Sequence, residues 1–307
     1  MILCCGEALI DMLPGKTASG DTAFVPHPGG SVFNSAVALG RLGVPVSLFS
    51  GISNDPFGLM LQKTLSRSNV DLSHVVISSR PTTLAFVTLE KGQTSYLFYD
   101  EGSPGRMLTE ADAPQIGTDV EAMLFGGISL AAEPCGSTYE TLMAREHSSR
   151  IIMLDPNIRP ALVRDVEAHR CRIGRMSAMS DIVKVSQEDL DWLTDATPAD
   201  AAQQMLDAGS LLVVVTYGAE GATAWWRGGS VRVEARRVKV IDTVGAGDAF
   251  NAGLLAALRQ AGLLSKERLV GLRKSEAAAA LSFAARVAAA TVSRAGANPP
   301  WREELEG

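Results

Sequence analysis

Asp242-Thr243-Val244-Gly245-Ala246-Gly247-Asp248-Ala249-Phe250 sets a carboxylate in a glycine-rich turn where an apolar, alanine-rich helical pattern begins. Gly245 and Gly247 can take backbone angles closed to other residues and let an anion approach the chain. The first amides of the helix that follows point unpaired toward that anion, and Asp248 stands beside it as a base. The stretch is not a P-loop, because no Gly-Lys-Ser/Thr follows. Nor is it a dinucleotide fingerprint, since Phe250 stands where the third glycine is required. On this stretch alone a plainer reading stays open, a turn in which Asp248 only caps the helix.

The rest of the chain places that turn in an α/β fold. Short apolar runs at residues 2–5, 46–51, 122–126, 151–155, 182–185 and 211–216 read as strands, separated by helical or alanine-rich stretches. Such alternation predicts a doubly wound, mostly parallel sheet with helices on both faces. Ligands bind beyond the carboxyl ends of such strands, and Asp11, Asp155, Lys184 and Thr216 read as lying at or just after them. Two segments break the alternation. Residues from about 12 to 30 fit no helix, and two period-2 runs at 84–89 and 95–99, joined by Lys91-Gly92-Gln93, read as a β-hairpin. Both are expected to form a small β lid, with the second excursion running to about 105. A helix is expected over 161–179, and another, alanine-rich, over 274–292. No linker or repeat appears, so residues 1–307 are expected to form one domain.

Composition narrows the partners. The 307 residues carry 28 basic and 34 acidic side chains, a net charge of −6, with no basic run able to grip nucleic acid or an anionic membrane. Cys4, Cys5, Cys135 and Cys171 form no CxxC pair and read as core thiols of a reducing, cytoplasmic compartment. The opening apolar run is broken by Glu7 and Asp11, too soon for a signal peptide or a membrane span. Small-molecule chemistry is the class left standing.

A second glycine-rich element, Pro28-Gly29-Gly30-Ser31-Val32-Phe33-Asn34-Ser35-Ala36, runs into a helical pattern at 37–42 that stops at Gly43. This early Gly-Gly-x-x-x-Asn-x-Ala and the late Asp-Thr-x-Gly-Ala-Gly-Asp together resemble the ribokinase-like (PfkB) carbohydrate kinases. The likeness runs from Gly6-Glu7-Ala8-Leu9-Ile10-Asp11 through Asp155-Pro156-Asn157 to Arg294-Ala295-Gly296-Ala297. It implies ATP-dependent transfer of a phosphoryl group to a sugar hydroxyl. Asp248 would be the base, and the amides of Gly245, Ala246 and Gly247 would stabilise charge on the moving group, as phosphoryl transfer requires. A carboxylate at a helix start is expected to stay ionised.

The same resemblance assigns sugar contacts to Asp11, Gly29, Gly30 and Asn34, with Arg159 as a further contact and Arg106 a weaker one. It assigns nucleotide contacts to Lys184, Ser186, Thr216, Gly218, Gly221 and Gly247. The family's Asn-x-x-Glu, which organises Mg²⁺ through water, is replaced by Ser186-Gln187-Glu188-Asp189, leaving Asp189 to do this with a shorter reach. Some members also hold a monovalent cation such as K⁺ through main-chain oxygens, here near Asp242 and Val244. Each residue has a plainer reading. Asp11 is then a turn former, Asn34 a first-turn polar residue, Lys184 a solvated strand end, Arg159 a salt bridge pinning the loop before 161–179, and the 216–221 segment an ordinary turn.

Within the family the likeness is greatest to kinases of D-fructose, on Gly6 to Pro14, Pro28 to Ser31 with Phe33-Asn34, and Asp155-Pro156-Asn157-Ile158-Arg159-Pro160. Kinases of 2-keto-3-deoxygluconate share the last element. Both kinds often carry Arg after the lid's Phe-Tyr, where this chain has Asp100 and Glu101 after Phe98-Tyr99. Two acids there would repel a sugar acid and favour a neutral hexose. Other sugar or nucleoside kinases and a non-catalytic sugar sensor are the alternatives, the last disfavoured by the intact Asp248. The expected partners are a sugar and ATP, with a homodimer formed through the lid strands.

Overall fold

The computed structural model describes residues 1–90 and 93–305. Its centre is a nine-stranded sheet. From edge to edge the strands run Gly229–Val233, Ala222–Trp226, Leu212–Thr216, Ile182–Ser186, Ile151–Asp155, Ala122–Gly126, Ile2–Cys5, Val46–Phe49 and Val70–Asp71. Leu212–Thr216 through Val70–Asp71 are parallel, and the first two strands are antiparallel additions. The order reverses between Ile2–Cys5 and Ala122–Gly126, which opens a crevice beyond their carboxyl ends.

The central strands are largely apolar because both faces are covered, with Ser47, Asp155 and Lys184 as buried exceptions. Side chains alternate across the sheet, so Ile2 and Cys4 enter one core with Leu48, Leu124 and Met153, while Leu3 and Cys5 enter the other with Met123, Phe125 and Leu154. The first core is closed by the helices Ser31–Arg41, Pro56–Arg67, Ala246–Gln260 and Lys274–Val292. The second is closed by Cys135–Glu146 and Val166–Ala178. Gly253 lets the long helix pair close up, since a Cβ there would stand 2.7 Å from the Ala284 backbone.

A separate four-stranded sheet stands where the lid was expected, in the order Thr22–Gly29, Leu9–Lys16, Leu84–Glu90, Gln93–Tyr99. The turn expected at Lys91-Gly92 lies outside the described residues. The lid begins at Leu9, earlier than the sequence suggests, because Ile10 and Met12 pair in register with Leu84 and Phe86. Asp11 therefore lies inside a lid strand rather than in a turn after the first strand. The second excursion contributes strand only to Tyr99. The helix expected over 161–179 starts at Val166, where the Asp165 side chain accepts the Ala168 amide at 2.9 Å and caps it. Cys171 is exposed, so it is not the core thiol expected. Among the described residues no helix is long and apolar enough to cross a membrane.

Candidate functional site

Asp248 lies in the first turn of the Ala246–Gln260 helix but does not cap it. The cap position is Gly245, in the left-handed region at φ 77°, with no side-chain bond. The Asp248 side chain instead crosses to the start of the Ser31–Arg41 helix. Oδ1 accepts the Ser31 hydroxyl at 2.6 Å and Oδ2 the Asn34 amide nitrogen at 2.9 Å. The Ser35 hydroxyl donates to the Asp248 backbone carbonyl at 3.2 Å. The Ser31 amide is held in turn by Glu7 Oε1 at 2.8 Å, so a buried carboxylate from another segment does what Gly30, at the cap position, cannot. Glu7 also accepts the Ser129 hydroxyl, and Gly127 must lack a side chain because a Cβ would stand 2.1 Å from the Glu7 carboxylate.

Burial is the largest influence on Asp248. It pushes the carboxyl up to about 6, against the lowering effect of the Ser31 and Asn34 donors. A helix start was expected to keep this group well ionised, and it stays mostly so at neutral pH, but desolvation outweighs the dipole. Asp11 is pushed up to about 7, by burial first and then by the Asp248 charge, with Arg159 opposing. The two carboxylates are thus coupled as like charges. Gly29 gives Asp11 its place, since a Cβ on Gly29 would stand 2.1 Å from Asp11 Oδ2. Gly30, at φ 106°, leans on the Glu7 carbonyl.

Lys184 is not the solvated strand-end lysine of the plainer reading. It is buried in the third position of its strand, and its ammonium donates to Asp155 Oδ2 at 3.0 Å. Asn251, one turn beyond Asp248, donates to the same oxygen at 2.6 Å. A Cβ on Gly247 would stand 3.2 Å from Lys184 Nζ, which puts the ammonium at the helix start with the first-turn amides. Of those amides, Ala246 already donates to Thr243 O at 3.3 Å. Sequence reasoning quoted Ser31, Glu7 and Asp155 without giving them these partners, and missed Asn251, for which no local signal exists.

Other expected residues fall around this centre with structural duties of their own. Ser186 Oγ accepts the Asp189 amide at 3.0 Å and caps the Gln187–Leu193 helix, while Asp189 Oδ1 accepts the Ile158 amide at 2.9 Å. Asp189 is raised by burial and by Asp155. Thr216 lies in register beside Ser186. Gly218, at φ 56°, borders open space, but Gly221 is required by the sheet, since a Cβ would stand 2.0 Å from Val233 O. Arg159 donates to the Ile158 carbonyl at 3.0 Å and makes no ion pair among the described residues, which removes the salt-bridge reading. Asp242 accepts the Val244 amide at 3.0 Å and the Gly296 amide at 2.9 Å, fastening the glycine-rich loop to the C-terminal segment.

The acidic lid is corrected as well. Arg106 donates to both oxygens of Asp100, at 3.0 and 3.1 Å, and Arg164 to Glu101 at 2.7 Å. Both acids are thereby matched, and their charge gives no strong ground for rejecting a sugar acid. All four side chains line a cavity of about 970 Å³ between the lid and the 161–172 segment. Its wall residue Leu84 pairs with Ile10, next to Asp11.

For a divalent ion the donors fit a loosely held one. Among the described residues no three His, Cys, Asp or Glu side chains cluster as a cage. Asp155 Oδ1 and Asn251 Oδ1 are buried acceptors without a partner there. That set suits an ion carried mainly by phosphates and water.

Comparison with known proteins identifies the family. The pfkB family carbohydrate kinase profile matches residues 1–304. A fructokinase of Rhizobium leguminosarum bv. trifolii is 54% identical over 273 residues, 89% of this chain and 84% of that protein. The fructokinase of Xylella fastidiosa with bound ATP superposes with a TM-score of 0.91 at 30% identity, covering 99% of this chain and 96% of that one. A double-mutant fructokinase of Vibrio cholerae bound to fructose, ADP and potassium ion gives 0.84 at 27% identity, covering 96% and 93%. With its two glycine-rich helix starts joined through one aspartate, the chain belongs to the pfkB family of carbohydrate kinases.

Proposed function

We propose that the chain transfers the terminal phosphoryl group of ATP to a hydroxyl of D-fructose, with Asp248 as the base. The observation that carries this reading is the buried Asp248 carboxylate, set between the first-turn amides with Lys184 on one side and Asp11 with Gly29 on the other. Asp11 and Asn34 bond sugar hydroxyls, the backbone at Gly29 and Gly30 approaches the ring, and Arg159 adds a donor. Asp248 takes the proton of the attacking hydroxyl. The sugar hydroxyl oxygen bonds to the terminal phosphorus as the bond to the bridging oxygen breaks, and ADP leaves with that electron pair. The amides of Gly245 and Gly247, with the Lys184 ammonium, face the charge on the moving group, while the Ala246 amide is shared with Thr243 O. Ser186, Thr216, Gly218 and Gly221 line the nucleotide side.

Mg²⁺, when bound, would neutralise charge on the phosphates, and Asp189 and Asp155 would be the side chains to hold it, through water. K⁺ would sit at main-chain oxygens beside Asp242 and Val244. The lid closes over the sugar and limits ATP hydrolysis; its exposed Phe24, Leu97 and Tyr99, on one side of the sheet, offer a face to a second copy.

Fructose is favoured over 2-keto-3-deoxygluconate by the 54% identical relative, now that the lid acids are known to be paired. An ATP-consumption screen over D-fructose, 2-keto-3-deoxygluconate, ribose and adenosine tests the reading. Fructose should give the highest kcat/KM, with a product one phosphoryl group heavier by mass spectrometry. Efficient turnover of another acceptor with fructose ignored would overturn it.

A further inference from the structure

The motif at Gly29-Gly30-Ser31 carries a side chain that the proposed mechanism leaves without a duty. The Ser31 hydroxyl stands 2.6 Å from Asp248 Oδ1, bridging 217 positions of sequence. Its backbone is not free to drift, because the Ser31 amide is fixed to buried Glu7 at 2.8 Å, and Glu7 is fixed again by Ser129. The Asn34 amide occupies the other carboxylate oxygen at 2.9 Å. Each carboxylate oxygen keeps further lone-pair capacity, so the clamp orients the base without blocking it. We propose that Ser31 is a positioning residue for the base, its hydroxyl holding Asp248 ionised and turned toward the sugar hydroxyl. This rests on Asp248 acting as the base in the proposed reaction.

The charged groups around the carboxylate make one donor matter. Asp155 and Asp11 press on it as like charges, Lys184 opposes them, Arg159 lies beyond Asp11, and Glu7 lies behind Ser31. Burial is the largest effect and disfavours the charge, while the Ser31 donor is the largest influence that favours it. Removing that donor shifts the balance toward the protonated acid, which is not a base.

The test is the pH dependence of kcat/KM for Ser31→Ala and Ser31→Thr, with circular dichroism to establish folding and with the best acceptor of the four-compound screen. Ser31→Ala should move the acid limb upward by about one pH unit, the size of one hydrogen bond to a charged group, with KM for ATP unchanged. Ser31→Thr, which keeps the hydroxyl, should return the limb toward the wild-type position. Because Asp11 titrates nearby, the comparison is repeated with Asp11→Asn, and the Ala shift should persist. An unmoved limb in folded Ser31→Ala, an equal shift in Ser31→Thr, or a shift that vanishes with Asp11→Asn would each overturn the assignment. Wild-type protein that turns over none of the acceptors would instead sink the kinase reading itself, and the assignment with it.

Discussion

Replacing Asp248 by Asn is the sharpest perturbation the site offers. The amide keeps the carboxylate's shape, and the neighbours can accept it. Asn34 donates to Oδ2, so the new amide oxygen turns toward Asn34, and its nitrogen faces a Ser31 hydroxyl able to accept instead of donate. The Asp248 charge that raises Asp11 is removed at the same time, so the folded state loses a like-charge repulsion. Unfolding is therefore not the expected outcome. What is lost is the proposed proton acceptor. With its carboxyl at about 6, Asp248 is mostly ionised at pH 7.5, the form that can act as a base. Loss of a positioned general base costs about 10²–10⁴ in rate, roughly 3–5 kcal/mol of barrier. A coupled ADP-release assay with fructose should show that fall in kcat, while calorimetry finds ATP binding nearly intact. A folded variant with near wild-type turnover would refute both the base and the site.

Three further outcomes follow from the same geometry. Asp248 works ionised and its folded value is raised, so activity is present above about 6 and is lost as pH falls through it; coupling to Asp11, near 7, should broaden the acid limb over that interval in a kcat/KM profile. Gly247→Ala puts a methyl 3.2 Å from an ammonium that Asp155 holds in place, so kcat/KM for ATP should drop about 10-fold or more with circular dichroism unchanged. Asp189→Ala should raise the Mg²⁺ requirement more than Glu188→Ala in a metal titration, because Asp189 is buried beside Asp155 and braces the Ile158 amide; the reverse order would reassign the role.

The parallel strands were legible because strands buried on both faces must be largely apolar, and Ile151–Asp155 and Ala122–Gly126 have the bounds read from sequence. The short strands Gly51–Ser53, Val70–Asp71 and Val76–Ser78 carry too little pattern to be read. Asp248 and the glycines around it declare their chemistry locally, through spacing and helix geometry. Their partners do not. Ser31 meets Asp248 across 217 positions, and Asn251 meets Asp155 across 96, separations over which no periodicity carries information. The lid acids failed for the same reason. Asp100 and Glu101 read as bare charge along the chain, while the arginines that match them arrive 6 and 63 residues away.

The bond from Asp242 to Gly296 has a bearing on how this protein is made. Ile241 and Asp242 also hang their amides on Val292 O, and Gly245 lies against Ala297. A ribosome that has extruded Lys184, Asp248 and the whole helix after it has still not supplied the segment to which the phosphate loop is moored. Until that segment emerges, the nascent chain holds the proposed catalytic side chains on an unmoored turn, with the Lys274–Val292 helix not yet packed behind it. A chain cut short before residue 292 should therefore keep its glycine-rich loop unfastened and be idle rather than wasteful.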